Sequence, residues 1–406
     1  MNLASVSFSY LRGRALNTTL NVLLLALGIA TITLLMLASR QLEERMHSDA
    51  RGIDLVVGAK GSPMQIILSS IYQLDVPTGN ISWKQAQELA KHRGVKKALP
   101  LAMGDNYKGF RIVGTNHDYV AHYGAELREG RLWGAPLEAV LGAEVARQTG
   151  LGVGATFTGA HGMGGGSGGE HLHEEHPYRV VGVLRPTGTV VDRIVLTDVT
   201  SLWAVHADQY GIKDVARVAE LLPEEGKELT ALLIQYSSPL AAAVLPRYVN
   251  ANSAMQAASP AYETARLFTI IGVGVDVLRG FALVLILSAG LSVFIALYNA
   301  LEERRYDLAI MRALGARPRE LMVLLLLEGT LLALIGAVVG LALGHVLTEV
   351  LGLALKRANQ PEVTGWVWDM SELWLVALAL GVGVIAALLP AWRAYRTDIA
   401  GTLARG

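Results

Sequence analysis

The segment LEERRYDLAIMRALG, residues 301–315, continues as ARPRELM and lies between two strongly apolar runs. It holds four acids and five arginines, Arg304, Arg305, Arg312, Arg317 and Arg319. A short, arginine-rich connector between apolar helices is typical of a membrane protein, because positive loops stay at the cytoplasmic face. The segment therefore predicts a membrane boundary and sets the topology of the rest of the chain.

The composition favours membrane helices combined with one sizeable water-soluble domain. Hydrophobic residues make up 52% of the 406 residues and charged residues 17%, and the mean hydropathy is +0.39. These values are too apolar for an ordinary soluble protein and too charged for one buried entirely in lipid. The net charge of zero argues against a nucleic-acid partner, and the absence of cysteine excludes disulfides and thiolate metal sites.

Four apolar runs are long enough to span a membrane, which takes about 20 residues: Leu20–Ala38, Gly280–Leu297, Leu321–Val346 and Leu373–Leu389. The first exceeds the core of a signal peptide, and Arg40 follows it without a clear cleavage site. The fold class predicted is a membrane protein with four transmembrane α-helices and a large α+β extracytoplasmic domain inserted between helices 1 and 2.

The arginines of the short loops orient these helices. Ten arginines (at 12, 14, 304, 305, 312, 317, 319, 393, 396 and 405) would share one side, against Lys356 and Arg357 on the other. The positive-inside rule then places both termini and the connector in the cytoplasm and the large domain in the periplasm, with the chain in the inner membrane. The predicted division is N-terminus 1–19, helix 1 20–40, periplasmic domain 41–265, stalk and helix 2 266–300, connector 301–320, helix 3 321–347, outer loop 348–371, helix 4 372–390 and tail 391–406.

Short apolar runs and periodic segments alternate in the domain. We expect strands at 53–58, 109–114, 155–159, 178–184 and 231–236, with the third and fourth paired. Helices are expected at 82–92 (capped by Ser82), 138–149 and 238–249, and the segment 261–280 is expected to continue helically into helix 2 as a stalk. The mixture is typical of an α+β fold.

The loop 160–176, AHGMGGGSGGEHLHEEH, carries four of the ten histidines, His161, His171, His173 and His176. Its glycines cannot specify one backbone conformation, so the loop is predicted to be flexible. Imidazole binds zinc, copper and nickel, and such a loop could gather several nitrogens around one ion, zinc above all. The alternative is a solvated polar loop. No HExxH motif is present, which disfavours a catalytic zinc site.

The connector itself is predicted to be an amphipathic helix. Leu308, Ile310, Met311 and Leu314 form its apolar face, Gly315 ends it, and Pro318 begins the next helix. Such a helix can lie on a membrane or dock into a partner, although a plain positive loop would have a similar composition. No G-x-x-x-x-G-K-[ST] sequence and no catalytic triad occurs, so this chain is not expected to be an enzyme and any ATP hydrolysis is assigned to another chain.

Helix 3 contains an acid and a glycine ridge. Glu328 lies about two turns inside it, where a charge is costly, and a connector arginine is its expected partner. Gly336, Gly340 and Gly344 permit close helix contact, either within the subunit or across a dimer. His345 is expected to pack rather than to bind a ligand. In the stalk, Asp276 and Arg279 are expected to pair.

Several stretches resemble the MacB/FtsX/LolC-E superfamily of ABC transporter permeases (type VII, mechanotransmission). They are RRYDLAIMRALGARPRELM with LLLEGTLLALIGAVVGLALG, the tail LLPAWRAYRTDIAGTLARG, and, in the domain, EAVLGAEVARQTGLGVGATF and YRVVGVL. The resemblance covers nearly the whole chain and is most specific from Asn299 onward. The histidine-glycine loop is not part of the common pattern.

The resemblance implies a permease, with a second permease subunit (a homodimer), driven by a cytoplasmic ABC ATPase dimer that binds ATP and Mg²⁺. It implies that the connector is the coupling helix and that stalk helices move a MacB-like domain to export or extract a lipoprotein, lipid, peptide or other amphiphile from the membrane lipid. The coupling residues would be Arg304, Arg305, Tyr306, Leu308, Met311, Arg312, Leu314, Gly315 and Arg317.

Three alternatives remain open at the level of sequence. The chain could be an FtsX-like regulator of a periplasmic enzyme, with a periplasmic or lipoprotein partner. It could handle or sense zinc through the histidine loop. An ion-coupled transporter is less favoured because Glu328 is the one acid deep in a predicted span.

Overall fold

The computed structural model describes residues 7, 10, 12–162, 175–358, 360 and 363–396. The chain divides into two compact units. One combines Met1–Leu42 with Ile271–Gly406 and is called the helical unit. The other, Glu43–Ile270, is called the inserted domain.

The α-helices of the described residues are numbered in chain order. They are α1 (Ala15–Asp49), α2 (Pro63–Ser70), α3 (Trp83–Ala90), α4 (His117–His122), α5 (Ala143–Thr149), α6 (Val199–Val205), α7 (Val218–Leu221), α8 (Pro239–Asn252), α9 (Pro260–Glu303), α10 (Arg305–Ala313), α11 (Pro318–Arg357) and α12 (Glu372–Tyr395). Short 3₁₀ turns include Val190–Arg193 and Ala207–Tyr210.

The strands are β1 (Leu55–Ala59), β2 (Ile81–Ser82), β3 (Val95–Tyr107), β4 (Phe110–Thr115), β5 (Leu127–Gly130), β6 (Glu138–Leu141), β7 (Thr156–Phe157), β8 (Ala160–His161), β9 (Tyr178–Leu184), β10 (Val195–Asp198), β11 (Glu228–Leu229), β12 (Ala231–Tyr236) and β13 (Met255–Ala258).

Four helices in the described part of the chain, α1, α9, α11 and α12, are long and apolar enough to cross a membrane. The inserted domain lies between the first and second of them, which confirms the predicted fold class. Both α1 and α9 are longer than the apolar runs within them, so each helix continues beyond the residues predicted to span the membrane. The length rule counts only residues that need lipid, and a helix can continue into water with polar residues such as Arg40–Asp49.

Glycines bring α11 close to α1. A Cβ atom at Gly340 would lie 2.7 Å from Ile29 Cβ, and one at Gly344 would lie 2.6 Å from Thr33 Cβ. At Gly336 the same atom would meet Leu25 at 2.7 Å. The ridge that the sequence left unassigned therefore packs within the subunit, as small residues do where helix backbones approach each other.

One mixed sheet organises the inserted domain. Among the described residues it contains eleven strands, with the main order β13-β1-β12-β3-β4-β10-β6-β9-β5, while β7 pairs with β9 and β8 with β3. The pairs β4–β10 and β6–β9 are parallel, and the other pairs are antiparallel. Its buried side chains, including Leu141 and Tyr178, form one large cluster.

Most strands and helices expected in this domain are confirmed, including the β7–β9 pair and the helical segment 261–280. The expected helix 138–149 is wrong in its first third. Glu138–Leu141 forms β6, between β9 and β10, and only Ala143–Thr149 is helical. A short apolar run fits the period of a helix and that of a strand equally well. Here pairing with β9 and β10 makes residues 138–141 a strand. Ser82 precedes α3 but makes no side-chain cap.

Candidate functional site

The connector forms a short helix, α10, between two long ones. It follows Arg304 directly, and Leu314 closes it by donating its N–H to the Ile310 carbonyl at 2.9 Å. Gly315 then adopts φ +104°, which residues with a Cβ rarely tolerate. Glu320 accepts a hydrogen bond from the Arg317 N–H at 2.9 Å, and Pro318 starts α11. The predicted helix, stop and restart are confirmed.

The apolar residues of α10 do not share one face. Leu308 is buried in a cluster with α9, α11 and α12, and Met311 packs against the same cluster. Ile310 and Leu314 are 37% and 83% exposed, and Tyr306 is 49% exposed. The predicted single face of four residues is therefore wrong: positions 308 and 310 are about 200° apart around a helix, so α10 has one packed side and one exposed apolar side.

A buried ion pair joins the start of the connector to α11. The Arg304 guanidinium lies 3.5 Å from a Glu328 carboxylate oxygen, and both side chains are almost fully buried, 12% and 4% exposed. The same guanidinium lies 3.7 Å above the centre of the Tyr10 ring. The predicted partner of Glu328 is thus a connector arginine. This pair holds residue 304 in place, whereas Arg305 pairs with Glu302 at the surface.

The exposed side of the connector carries positive charge as well as apolar area. Arg317 is exposed, and Arg312 is half-buried on the last turn of α10. Arg317, Tyr306, Ile310 and Leu314 form what we call the connector patch, whereas Arg312, four residues after Leu308, lies toward the packed side. Apolar side chains rimmed by arginine are the composition that protein interfaces favour.

The other end of the helical unit is held by polar contacts between distant residues. Gln41 exchanges two hydrogen bonds with the Thr364 backbone, at 2.8 and 2.9 Å, and Arg40 forms an ion pair with Asp369. The His345 ring contacts the Gly365 carbonyl at 2.5 Å and Glu372 at 3.1 Å, so it is packed within the helical unit, and the expectation that it binds no ligand stays a prediction. The sequence offered no signal for these pairs because they join residues far apart in the chain.

The four histidines proposed as metal ligands are only partly described. His161 lies in β8, and His176 is buried with its Nε2 atom 3.0 Å from an Asp208 carboxylate oxygen. His171 and His173 lie outside the described residues. Zinc binding by this set of four stays a prediction.

Comparison with known proteins identifies the family. The family model of the MacB-like periplasmic core domain matches residues 18–243, more than half of the chain, and that of the FtsX-like permease C-terminal domain matches residues 279–399. The chain belongs to the MacB/FtsX family of ABC transporter permeases. The first match covers α1 and most of the inserted domain, and the second covers the remaining membrane helices and the connector.

Individual relatives are more distant. An uncharacterized ABC transporter permease of Methanocaldococcus jannaschii is 24% identical over 220 residues, which cover 54% of this chain and 52% of that protein. The lipoprotein-releasing system transmembrane protein LolC of Xylella fastidiosa is 34% identical over 115 residues, 25% of this chain and 28% of that protein. The chain thus spans about half the length of the first relative and less of the second.

Among solved structures, the periplasmic region of MacB from Actinobacillus actinomycetemcomitans aligns with 55% of this chain and 97% of its own, at 12% identity and a TM-score of 0.34. The family membership and the four spanning helices make this MacB/FtsX-type permease a multi-pass membrane protein with a periplasmic-type domain.

Proposed function

We propose that the connector patch is where a cytoplasmic ABC ATPase dimer acts on this permease, and that the permease transmits ATP-driven motion to its inserted domain. The observation that carries the proposal is the two-sided packing of α10. Leu308 and Met311 fix one side to the membrane helices, while Tyr306, Ile310 and Leu314 stay exposed on the other. A helix fixed on one side and open on the other can pass a push from a partner into the helices behind it.

Transmission to the inserted domain runs through α1 and α9. The two places where the chain passes between the units lie inside these helices, at residues 42–43 and 270–271. The interior of a continuous helix is held by hydrogen bonds between its own backbone groups, so it resists bending more than a loop does. The two helices therefore serve as the levers of the proposed mechanism.

The proposed assembly is a homodimer of this permease with two ATPase subunits in the inner membrane. The inserted domain lies in the periplasm, and ATP and Mg²⁺ are bound by the partner. The cargo is a lipoprotein, lipid, peptide or other amphiphile, a class supported by the lipoprotein-releasing function in the name of LolC. In this proposal the inserted domain binds such a cargo outside the membrane and moves it there.

The test is Leu314→Asp, with Leu240→Asp as the matched control. Leu314 and Leu240 are 83% and 72% exposed, but Leu240 lies on α8 of the inserted domain. The permease is purified with the ATPase that accompanies it and reconstituted in nanodiscs. We expect Leu314→Asp to lower permease-stimulated ATP turnover about tenfold or more, as for an interface hot spot worth about 2 kcal/mol or more, since about 1.4 kcal/mol corresponds to a factor of ten. The control should behave as wild type.

A photo-crosslinking amino acid at residue 314 provides the second measurement. It should capture the ATPase, recognised by the ATP-binding sequence G-x-x-x-x-G-K-[ST] (Walker A). The same probe at residue 240 should not capture it. Equal ATP turnover in both variants, or equal capture from both positions, would refute a role of the connector patch in coupling.

A further inference from the structure

Three side chains from separate parts of the inserted domain converge beside the sheet. Asp105 belongs to β3, His161 to β8, and His206 follows the last residue of α6. One carboxylate oxygen and one nitrogen from each ring all lie within 4.8 Å of one another. In the described part of the chain this is the cluster of three histidine and carboxylate groups whose atoms lie close enough together to hold a metal ion after small shifts.

Sheet pairing holds Asp105 and His161 together. The register of β3 and β8 places these two residues directly opposite each other. Next to them, Gly162 donates its N–H to the Gly104 carbonyl at 2.9 Å, and the Asn106 amide donates to the Gly162 carbonyl at 3.0 Å. The backbone positions of the carboxylate and of one imidazole are therefore fixed by the fold.

The third group approaches from the helix that covers this part of the sheet. The His206 ring meets the His161 ring edge to face, with centroids 5.4 Å apart and an angle of 85°. His161 Nδ1 lies 3.3 Å from an Asp105 oxygen. In a tetrahedral zinc site, metal bonds of about 2.1 Å place ligand atoms about 3.4 Å apart, so shifts of about 1 Å would bring all three atoms to one ion.

The burial of Asp105 makes the cluster more than a chance grouping of polar residues. Its side chain is fully buried, at 0% exposure, whereas the His161 side chain is 58% exposed. A carboxylate taken out of water is costly unless a cation or several hydrogen bonds compensate it. A metal ion held by both imidazoles would supply such compensation.

We propose that Asp105, His161 and His206 form a binding site for a divalent transition-metal ion, with Zn²⁺ as the best match. Two imidazole nitrogens and one carboxylate oxygen are ligands that zinc commonly takes. The site shares only His161 with the loop histidines singled out by the sequence, and it does not depend on the proposed coupling role of α10.

The surroundings leave room for a further ligand. The cluster borders a cleft of about 320 Å³, whose walls include Trp203, Gln209, Tyr210 and Glu225. Three protein ligands with a fourth position open to water or to another donor is the arrangement of accessible zinc sites. An ion there would tie β3, β8 and the end of α6 together, residues that are more than 40 positions apart in the chain.

The experiment uses the full-length chain in nanodiscs, stripped with a chelator and titrated with Zn²⁺ against a chromophoric competitor. We expect one equivalent to bind. Asp105→Asn and His206→Gln should each weaken binding by at least about 100-fold, because even second-shell changes at zinc sites cost about 10–100-fold. His206 is only half-buried, so its substitution should disturb folding less. His206→Gln therefore tests the site even if the buried Asp105→Asn variant does not fold.

Two control variants separate this site from other histidines. His176→Gln, and the double variant His171→Gln/His173→Gln, should retain the affinity within about threefold, less than the loss expected for an outer-shell change. X-ray absorption of the bound ion should show light-atom ligands that include two imidazoles. Three results would overturn the proposal: no bound equivalent in the wild type, unchanged affinity in folded His206→Gln, or a loss confined to the loop double variant.

Discussion

The two units of this permease achieve close packing by opposite means. In the helical unit, glycines of α11 face α1 so closely that an added Cβ at Gly340 would lie 2.9 Å from the Ala26 carbonyl oxygen. In the inserted domain, large side chains fill the core, as where the Phe157 and Tyr178 rings stack with centroids 5.3 Å apart. Lipid provides no hydrophobic force between helices, so close backbone contact replaces it, while water drives apolar burial in the domain.

The difference predicts opposite sensitivities. The helical unit should tolerate loss of atoms and suffer from their addition, whereas the inserted domain should suffer from their loss. The buried Arg304–Glu328 pair is the exception within the helical unit, because there the loss of a group leaves a charge behind.

The largest expected effect is therefore Arg304→Met. The change keeps an unbranched side chain but removes the cation 3.5 Å from buried Glu328, while Arg14, the other arginine whose charge acts on Glu328, stays in place. Breaking one side of a buried pair typically costs about 3–5 kcal/mol. We expect a loss of that size in the free energy of unfolding, measured by SDS titration of the permease in mild detergent and followed by the helical signal.

A double-mutant cycle with Glu328→Gln checks this explanation. The double variant removes both charges, so it should be more stable than Arg304→Met alone, and the two costs should not add. Arg305→Met is the control, since Arg305 pairs at the surface with Glu302 at 3.0 Å and should cost less than about 1 kcal/mol. Additive costs for 304 and 328 would contradict a direct interaction.

The second effect tests atom removal in the inserted domain. Leu141 is fully buried in β6, between Val195 of β10 and Val183 of β9. Leu141→Ala leaves a cavity and should lower the free energy of unfolding by about 2–5 kcal/mol. Hydrogen exchange of full-length protein, read on the peptides of β6 and β9, gives the change. Leu240→Ala, at a residue 72% exposed, should leave exchange unaltered.

The helical unit was readable from sequence because its signals are local. Each of these signals involves residues that are close together in the chain. They are an apolar run of spanning length, a glycine every fourth residue, and a glycine before Ala-Arg-Pro. Even the Arg304–Glu328 pair could be predicted, since a buried acid requires a cation and the connector supplied the nearest ones. What sequence could not give was which sides of α10 are covered, because that depends on the packing of α9, α11 and α12.

The inserted domain was harder to predict from the sequence, because its structure depends on contacts between residues far apart in the chain. Its strands were recognised one by one, but the order of the sheet depends on pairings between residues more than 100 positions apart, such as Leu55 with Ile234. The sequence predicts a helix at 138–141 because four residues cannot distinguish the helical period from that of a strand. Asp105 and His206 were missed as candidates, since only the β3–β8 register and α6 bring them to His161.

The third prediction adds one methyl group to each of two glycines in membrane helices. A Cβ at Gly340 meets Ile29 and Ala26, whereas one at Gly280 meets no heavy atom within 4 Å. Alanine improves helix propensity at both positions by about 1 kcal/mol, so the comparison isolates the clash. We expect Gly340→Ala to be about 1–3 kcal/mol less stable than Gly280→Ala in the SDS titration. Equal stabilities would mean that α1 and α11 are not held in close contact.

The smallest effect concerns a partly exposed pair at the edge of the inserted domain. Glu138 accepts hydrogen bonds from Arg131 and, at 2.7 Å, from the Gly134 N–H. The hydrogen bond from Arg131 above all, together with those from the Gly134 and Ala135 N–H groups, lowers the pKa of Glu138 from its usual 4.5 to about 2. Because the folded protein holds the ionised form more strongly, this stabilisation is complete above pH 4.5 and is lost as the pH falls toward 2.

Glu138→Gln removes that dependence. The Arg131 side chain is 59% exposed, so solvent screening keeps the contribution at neutral pH small. Hydrogen exchange of the β6 peptide, corrected for intrinsic rates, should show wild type and variant separated at pH 6 and converging as the pH approaches 2. Other carboxylates titrate equally in both proteins and cancel in the difference. A gap that stays constant with pH would instead show that the ionisation of Glu138 does not cause it.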